Sequence, residues 1–219
     1  GLVDASLQLG MTYQAAGDSE RAQQTIGAVA DLADSNPQAA AQAYLRLGNL
    51  AQAQGNLEEA EAQYRAAQQA YPALIGPYLQ LAQMLRSQGQ PEQAFAQIQA
   101  AVAANPNNAE AQMELGRAYT ALGQYQDAVK ALEQATEINP GYVEAYIQLS
   151  LALQGMGSPQ NLERAEIMLN RALRLAQRDE LAARVLVQRG ELRRSQGRYG
   201  PAIADFEAAI QRDPRNVQS

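Results

Sequence analysis

Histidine, cysteine and tryptophan are all missing from this chain, lysine occurs once, at Lys130, and there are only 2 phenylalanines. Without cysteine there is no disulfide framework and no thiolate nucleophile, so cysteine usage says nothing about the redox compartment. Without histidine the commonest general base and the usual zinc ligands are gone. Carboxylate pairs such as Glu58–Glu59 remain, but at a helix start they serve the macrodipole. Gly155-Met156-Gly157 has neither the strand nor the lysine of a phosphate loop and reads as a helix end. The chain is therefore expected not to be an enzyme, with no catalytic residue, no metal ligand and no cofactor. No run approaches the ~18 apolar residues of a membrane span, and Gly1-Leu2-Val3-Asp4 lacks the basic and apolar parts of a secretory signal. A soluble segment is expected, with no membrane insertion and no assignable compartment.

What the chain has instead is a repeat. Small "hub" residues at Gly10, Gly48, Ala82, Gly116, Ser150 and Gly190 are each followed seven residues later by glycine: Gly17, Gly55, Gly89, Gly123, Gly157 and Gly197. The hubs are 38, 34, 34, 34 and 40 residues apart, a period that points to stacked helix pairs. Leucine precedes five of the hubs (Leu9, Leu47, Leu81, Leu115, Leu149), with Arg189 in the sixth. Large or apolar residues recur three after the hub, again except for Arg193, and make one apolar stripe per first helix. The invariable glycine is suited to a left-handed C-terminal cap. A second helix runs from Ala22, Ala60, Ala94, Ala128, Ala165 and Ala202, with Ile26, Tyr64, Ile98, Leu132, Leu169 and Phe206 four residues on. Pro37, Pro72, Pro106, Pro140 and Pro214 close the units. Scarce β-branched residues and abundant alanine and glutamine agree with an all-helical chain of about twelve helices.

The pattern resembles the tetratricopeptide repeat family, over residues 3 to 214. The resemblance implies an all-α, right-handed superhelical α-solenoid of antiparallel helix pairs. The expected organisation is one domain, 1–219, of six repeats: 3–37, 38–74, 75–108, 109–142, 143–182 and 183–216. Extra residues before Pro37, at Ser158 to Asn161 and near Gln177 should lengthen helices or loops there. Arg189 and Arg193 stand where other units have apolar residues, so they must either reach water over their aliphatic stems or pair with acids. The Leu2 start and the Pro214-Arg215-Asn216 end suggest a piece of a longer array, and the alanine- and glutamine-rich composition looks bacterial.

In similar proteins the first helices line a concave groove that binds peptides. Here the residue three before the hub is always apolar, and Leu45, Leu79, Met113 and Ile147 are expected to form the floor. Two before the hub stands glutamine in four units of six, and Gln80 and Gln148 are expected to hold a peptide backbone, an amide offering donors and an acceptor. Asn49, Gln83, Arg86, Glu114, Arg117 and Leu151 complete the candidate groove. The alternative is that the apolar row only packs between successive first helices and the glutamines are surface filler. A clamp for a C-terminal carboxylate, known in the family, fits only at Asn49, because Glu110 and Glu114 stand where positive charge is needed.

Charge is split along the chain. Residues 1–163 carry 6 basic and 16 acidic side chains and residues 164–219 carry 11 and 7, giving −10 and +4 and the overall −6. The acidic part repels phosphate backbones, so no nucleic acid partner is expected. A protein-interaction module or scaffold binding a peptide or protein segment is the expected function. Two alternatives are the targeting arm of a larger enzyme, such as a glycosyltransferase, and a structural protein that associates with itself.

Overall fold

The computed structural model describes residues 1–214, all of it helix and turn. Arg215 and Asn216, the last positions of the sixth repeat, lie outside the described residues. The chain divides into two compact units, Gly1–Pro106 and Asn107 onward. The first holds α1 (Leu2–Ala15), α2 (Ser19–Ala30), α3 (Pro37–Ala53), α4 (Leu57–Ala70), α5 (Gly76–Ser87) and α6 (Pro91–Ala104). The second holds α7 (Ala109–Ala121), α8 (Tyr125–Ile138), α9 (Val143–Met156), α10 (Pro159–Leu175), α11 (Asp179–Ser195) and α12 (Tyr199–Arg212). Within each unit every odd-numbered helix pairs with the next one, and successive pairs stack through α2 on α3, α4 on α5, α8 on α9 and α10 on α11. Each unit is thus a stack of three antiparallel hairpins.

Local chemistry sets the hairpin turns. All six expected glycines have φ between 71° and 81°, the left-handed conformation in which a Cβ is costly. The turn is closed by bonds typical of a Schellman cap, for example Asp18 N–H to the Tyr13 carbonyl and Asn56 N–H to that of Ala51, both 2.9 Å. At other helix starts Asp18, Asn36, Asn108 and Ser158 accept a backbone N–H three residues on, at 3.0–3.2 Å.

The hubs let the two helices of a hairpin touch. A Cβ placed on Gly10, Gly48, Gly116 or Gly190 meets Ile26, Tyr64, Leu132 or Phe206 before anything else, so the large residue of each second helix lies against its hub. Tyr64 and Tyr146 are fully buried in the core. Gly155 does a similar service between hairpins, for the Tyr125 ring occupies the space of its missing side chain. The extra residues of the fifth repeat become helix: α10 and α11 have 17 residues each, against 14 in α8, α9 and α12.

Arg189 and Arg193 pair with acids. Asp205 of α12, 3 % exposed, accepts two bonds from Arg189 at 2.6 and 3.1 Å and one from Arg193 at 2.9 Å. Asn170 takes another Arg189 bond at 2.6 Å, while Glu166 receives Arg193 at 2.8 Å and Arg198 at 2.5 Å. Burial by itself raises the Glu166 pKa, but the bonds and charges of Arg198 and Arg193 outweigh it and hold the carboxyl below its ordinary range. The stripe that is apolar elsewhere becomes a hydrogen-bonded charge network joining α10, α11 and α12.

Candidate functional site

The second unit contains a cavity of about 490 Å³ between α9, α11 and α12. Its first wall is α9, through Glu144, Ile147, Gln148 and Leu151, and its second is α11, through Ala183, Arg184, Val187 and Gln188. Counted from Ser150 and Gly190, Glu144, Ile147 and Gln148 are equivalent to Arg184, Val187 and Gln188, so the helical period that defined the groove in the sequence does converge on one concavity. Phe206, Ala209, Ile210 and Asp213 of α12 close it. Sequence reasoning missed this third wall. The repeat comparison stopped at Ala209, and one residue further Ile210 takes the place of Leu173 in the preceding repeat.

The lining is apolar at depth and polar at the rim. Arg184 pairs with Glu144 at 3.1 Å, and the Gln148 amide donates to the same carboxylate at 2.9 Å. That bond uses one of the two amide hydrogens of Gln148 and leaves the carbonyl able to accept. The Glu144 charge is matched within the rim, which leaves shape and apolar area as the main recognition element of the cavity.

Next to it on α7 and α9 lies a more acidic zone. The Tyr142 hydroxyl is pushed up to about 12, first by burial, then by the carboxylates of Glu110, Glu114 and Glu144, with Arg117 opposing them. Arg117 donates twice to Glu114, so that pair too is internally matched, and Glu110 stands exposed at the edge.

The remaining candidate residues have varied surroundings. Met113 and Ile147 are 5 % and 3 % exposed and belong to the core of the second unit, so as a floor they offer little surface. That observation favours the packing alternative at these two positions, although Ile147 still contributes to the cavity wall. Leu45 lies under the start of α5, with a Cδ 3.0 Å from where a Cβ on Gly76 would sit, and Leu79 and Gln80 are half-buried. Asn49 accepts the Tyr64 hydroxyl at 2.9 Å, shared with Gln52 at 2.7 Å, so its oxygen serves the hairpin interior. Gln83 and Arg86 are exposed on α5. Leu151 and Val187, half-buried and exposed respectively, supply the accessible apolar surface. No helix among the described residues is long and apolar enough to cross a membrane.

Models described as tetratricopeptide repeat match residues 7–75, 85–151, 120–188 and 183–216. No curated protein matches the chain in sequence. Among solved structures, Pseudomonas aeruginosa PilF is similar at 22 % identity and a TM-score of 0.68, over 84 % of this chain and 81 % of that one. MamA from Desulfovibrio magneticus RS-1 is similar at 20 % identity and 0.65, covering 80 % and 95 %. YrrB, described as a TPR protein with an unusual peptide-binding site, is similar at 20 % identity and 0.61, covering 85 % and 92 %. At these identities the likeness is one of fold.

Proposed function

The chain belongs to the tetratricopeptide repeat family, and from that premise we propose that it is a non-catalytic interaction module whose second unit seats a peptide or protein segment in the cavity between α9, α11 and α12. One observation carries this reading: equivalent positions of two successive first helices, Ile147 with Gln148 and Val187 with Gln188, line a single cavity of about 490 Å³. That volume admits one or two large apolar side chains of a ligand. Apolar contact supplies most of the affinity, at about 1.5–3 kcal/mol for a fully buried Leu- or Phe-sized side chain, more than a typical exposed polar contact. The Gln148 carbonyl and the Gln188 amide at the rim suit a peptide backbone, which needs acceptors and donors irrespective of sequence. YrrB, with its peptide-binding site on the same fold, supports the reading by analogy.

The test begins with capture of partners on the purified chain and their identification by mass spectrometry. A variant carrying Leu151→Asp and Val187→Asp, checked for helicity by circular dichroism, should lose the captured partner. Both residues keep part of their surface in water, so the fold should survive the change. A control with Gln126→Glu and Gln134→Glu, exposed on α8, should keep it. Retained binding in the cavity variant together with loss in the control would move the function to the second helices.

A further inference from the structure

The first unit holds a smaller cavity, of about 90 Å³, between α2 of the first hairpin and α3 and α4 of the second. Among its lining residues Ala51 is buried, Leu47 and Gln63 are half-buried, and Gln23, Asn56 and Glu59 are exposed, so it runs from a wet rim to a covered interior. The Gln63 amide donates to Glu59 Oε1 at 2.5 Å. That bond decides which end of the side chain is the oxygen, since the reverse would set two acceptors against each other. The Gln63 carbonyl oxygen is buried and meets no donor among the described residues, and a buried acceptor costs free energy until a donor reaches it.

In the sixth hairpin the same positions are occupied by arginines and their acceptors. Counted from the hubs Gly48 and Gly190, Leu47, Ala51, Asn56 and Gln63 correspond to Arg189, Arg193, Arg198 and Asp205. Counted from Ala22 and Ala165, Gln23 corresponds to Glu166. There Arg189 and Arg193 both donate to Asp205, and Arg193 and Arg198 both donate to Glu166. In the second hairpin the two acceptor positions keep side chains that can accept, whereas leucine, alanine and asparagine replace the three arginines. The short Ala51 side chain leaves the space that Arg193 fills. Glu59 adds a carboxylate at the rim, which can accept further bonds beside that from Gln63, and no arginine or lysine among the described residues lines the cavity.

We propose that this cavity receives a guanidinium group from outside, the arginine side chain of a binding partner, in the place that Arg193 takes in the sixth hairpin. The planar fork of a guanidinium carries five N–H donors. One edge reaches the Gln63 oxygen in the interior, and the remaining donors serve Glu59 and Gln23 at the rim. An ammonium offers three donors from a single point and is less suited to acceptors spread over α2 and α4. The Glu59 charge stays in partial contact with water, so it attracts the cation without being buried alone. This site lies in the first unit and the cavity between α9, α11 and α12 in the second, so the two readings stand or fall separately.

Two-dimensional NMR of the isotope-labelled 219-residue chain, titrated with N-acetylarginine amide, tests this. The signals of Ala51, Asn56 and the Gln63 side-chain amide should shift and saturate. The neutral isostere N-acetylcitrulline amide should bind about tenfold more weakly, and free arginine no more tightly than the blocked form. Glu59→Gln, at an exposed position, should keep the fold and weaken the arginine probe about tenfold. Ala51→Arg returns a guanidinium to the site from within and, once shown folded by circular dichroism, should abolish the response. A chain whose signals at these residues do not saturate overturns the proposal, as does an equal response to the citrulline probe, which would mean that the cavity takes only water and neutral groups. An undiminished response in Glu59→Gln or in folded Ala51→Arg overturns it too. Tighter binding of free arginine would overturn a partner's side chain as the source.

Discussion

Asp205→Ala should be among the most damaging single changes in the second unit. Asp205 is 3 % exposed and is, among the described residues, the carboxylate bonded to Arg189, whose side chain is 15 % exposed. Arg193 would keep Glu166, but Arg189 would be left with only the neutral Asn170. A nearly buried guanidinium that has lost its counter-charge costs about 3–5 kcal/mol, a large part of the ~5–15 kcal/mol that holds a domain together. The loss should be local, because α12 is joined to the stack chiefly through α11. Hydrogen exchange should therefore show faster opening of α11 and α12, with α7 and α8 little changed. Joining Asp205→Ala with Arg189→Leu restores the pair found in the fourth repeat, Ala131 with Leu115, and should return stability to within about 1 kcal/mol of the parent or above it. If Asp205→Ala costs under about 1 kcal/mol, or the double variant is as unstable as the single one, the ion pair is not what holds this repeat.

The glycines give a paired test: Gly48→Ala puts a methyl 2.5 Å from the Tyr64 ring and should cost about 1–3 kcal/mol as overpacking. Gly27→Ala, inside α2 with open space around it, should gain up to about 1 kcal/mol; denaturant titration separates the two. At low pH, Glu166 ionises in the fold below its unfolded value, so its stabilisation is complete above the ordinary glutamate range and fades as pH falls through the folded pKa. An Arg193→Gln and Arg198→Gln background should flatten that part of the stability profile. At high pH, burial pushes the Tyr64 hydroxyl up to about 12, so the fold keeps it neutral where an unfolded tyrosine ionises. That contribution is complete below about 10 and is lost as pH rises towards the folded value. Tyr64→Phe should remove this component of alkaline unfolding, followed by tyrosinate absorbance.

What could be read from the sequence was local. A left-handed backbone at the end of a helix favours glycine over every other residue, so Gly17 through Gly197 marked six turns before any contact was known. A side chain that must fit against a neighbouring helix leaves a small partner at a fixed spacing, so the hubs and the large residues opposite them were legible too. The helical period placed Ile147, Gln148, Val187 and Gln188 on one face for the same reason. Other features depended on partners distant in sequence or on packing depth. Arg189 could reach water or find an acid, and only the approach of α12 brought Asp205 to it. Met113 and Ile147 share their spacing with Leu79, yet the packing of α7, α8 and α9 buries them. Asn49 had the chemistry of a groove residue until the Tyr64 hydroxyl, from the second helix of its own hairpin, took its oxygen. The sequence determined the turns and the helix faces, because these depend on backbone conformation and on residues within one hairpin. Tertiary structure decided which face residues stay open to a ligand, because accessibility and charge pairing are properties of neighbouring helices together.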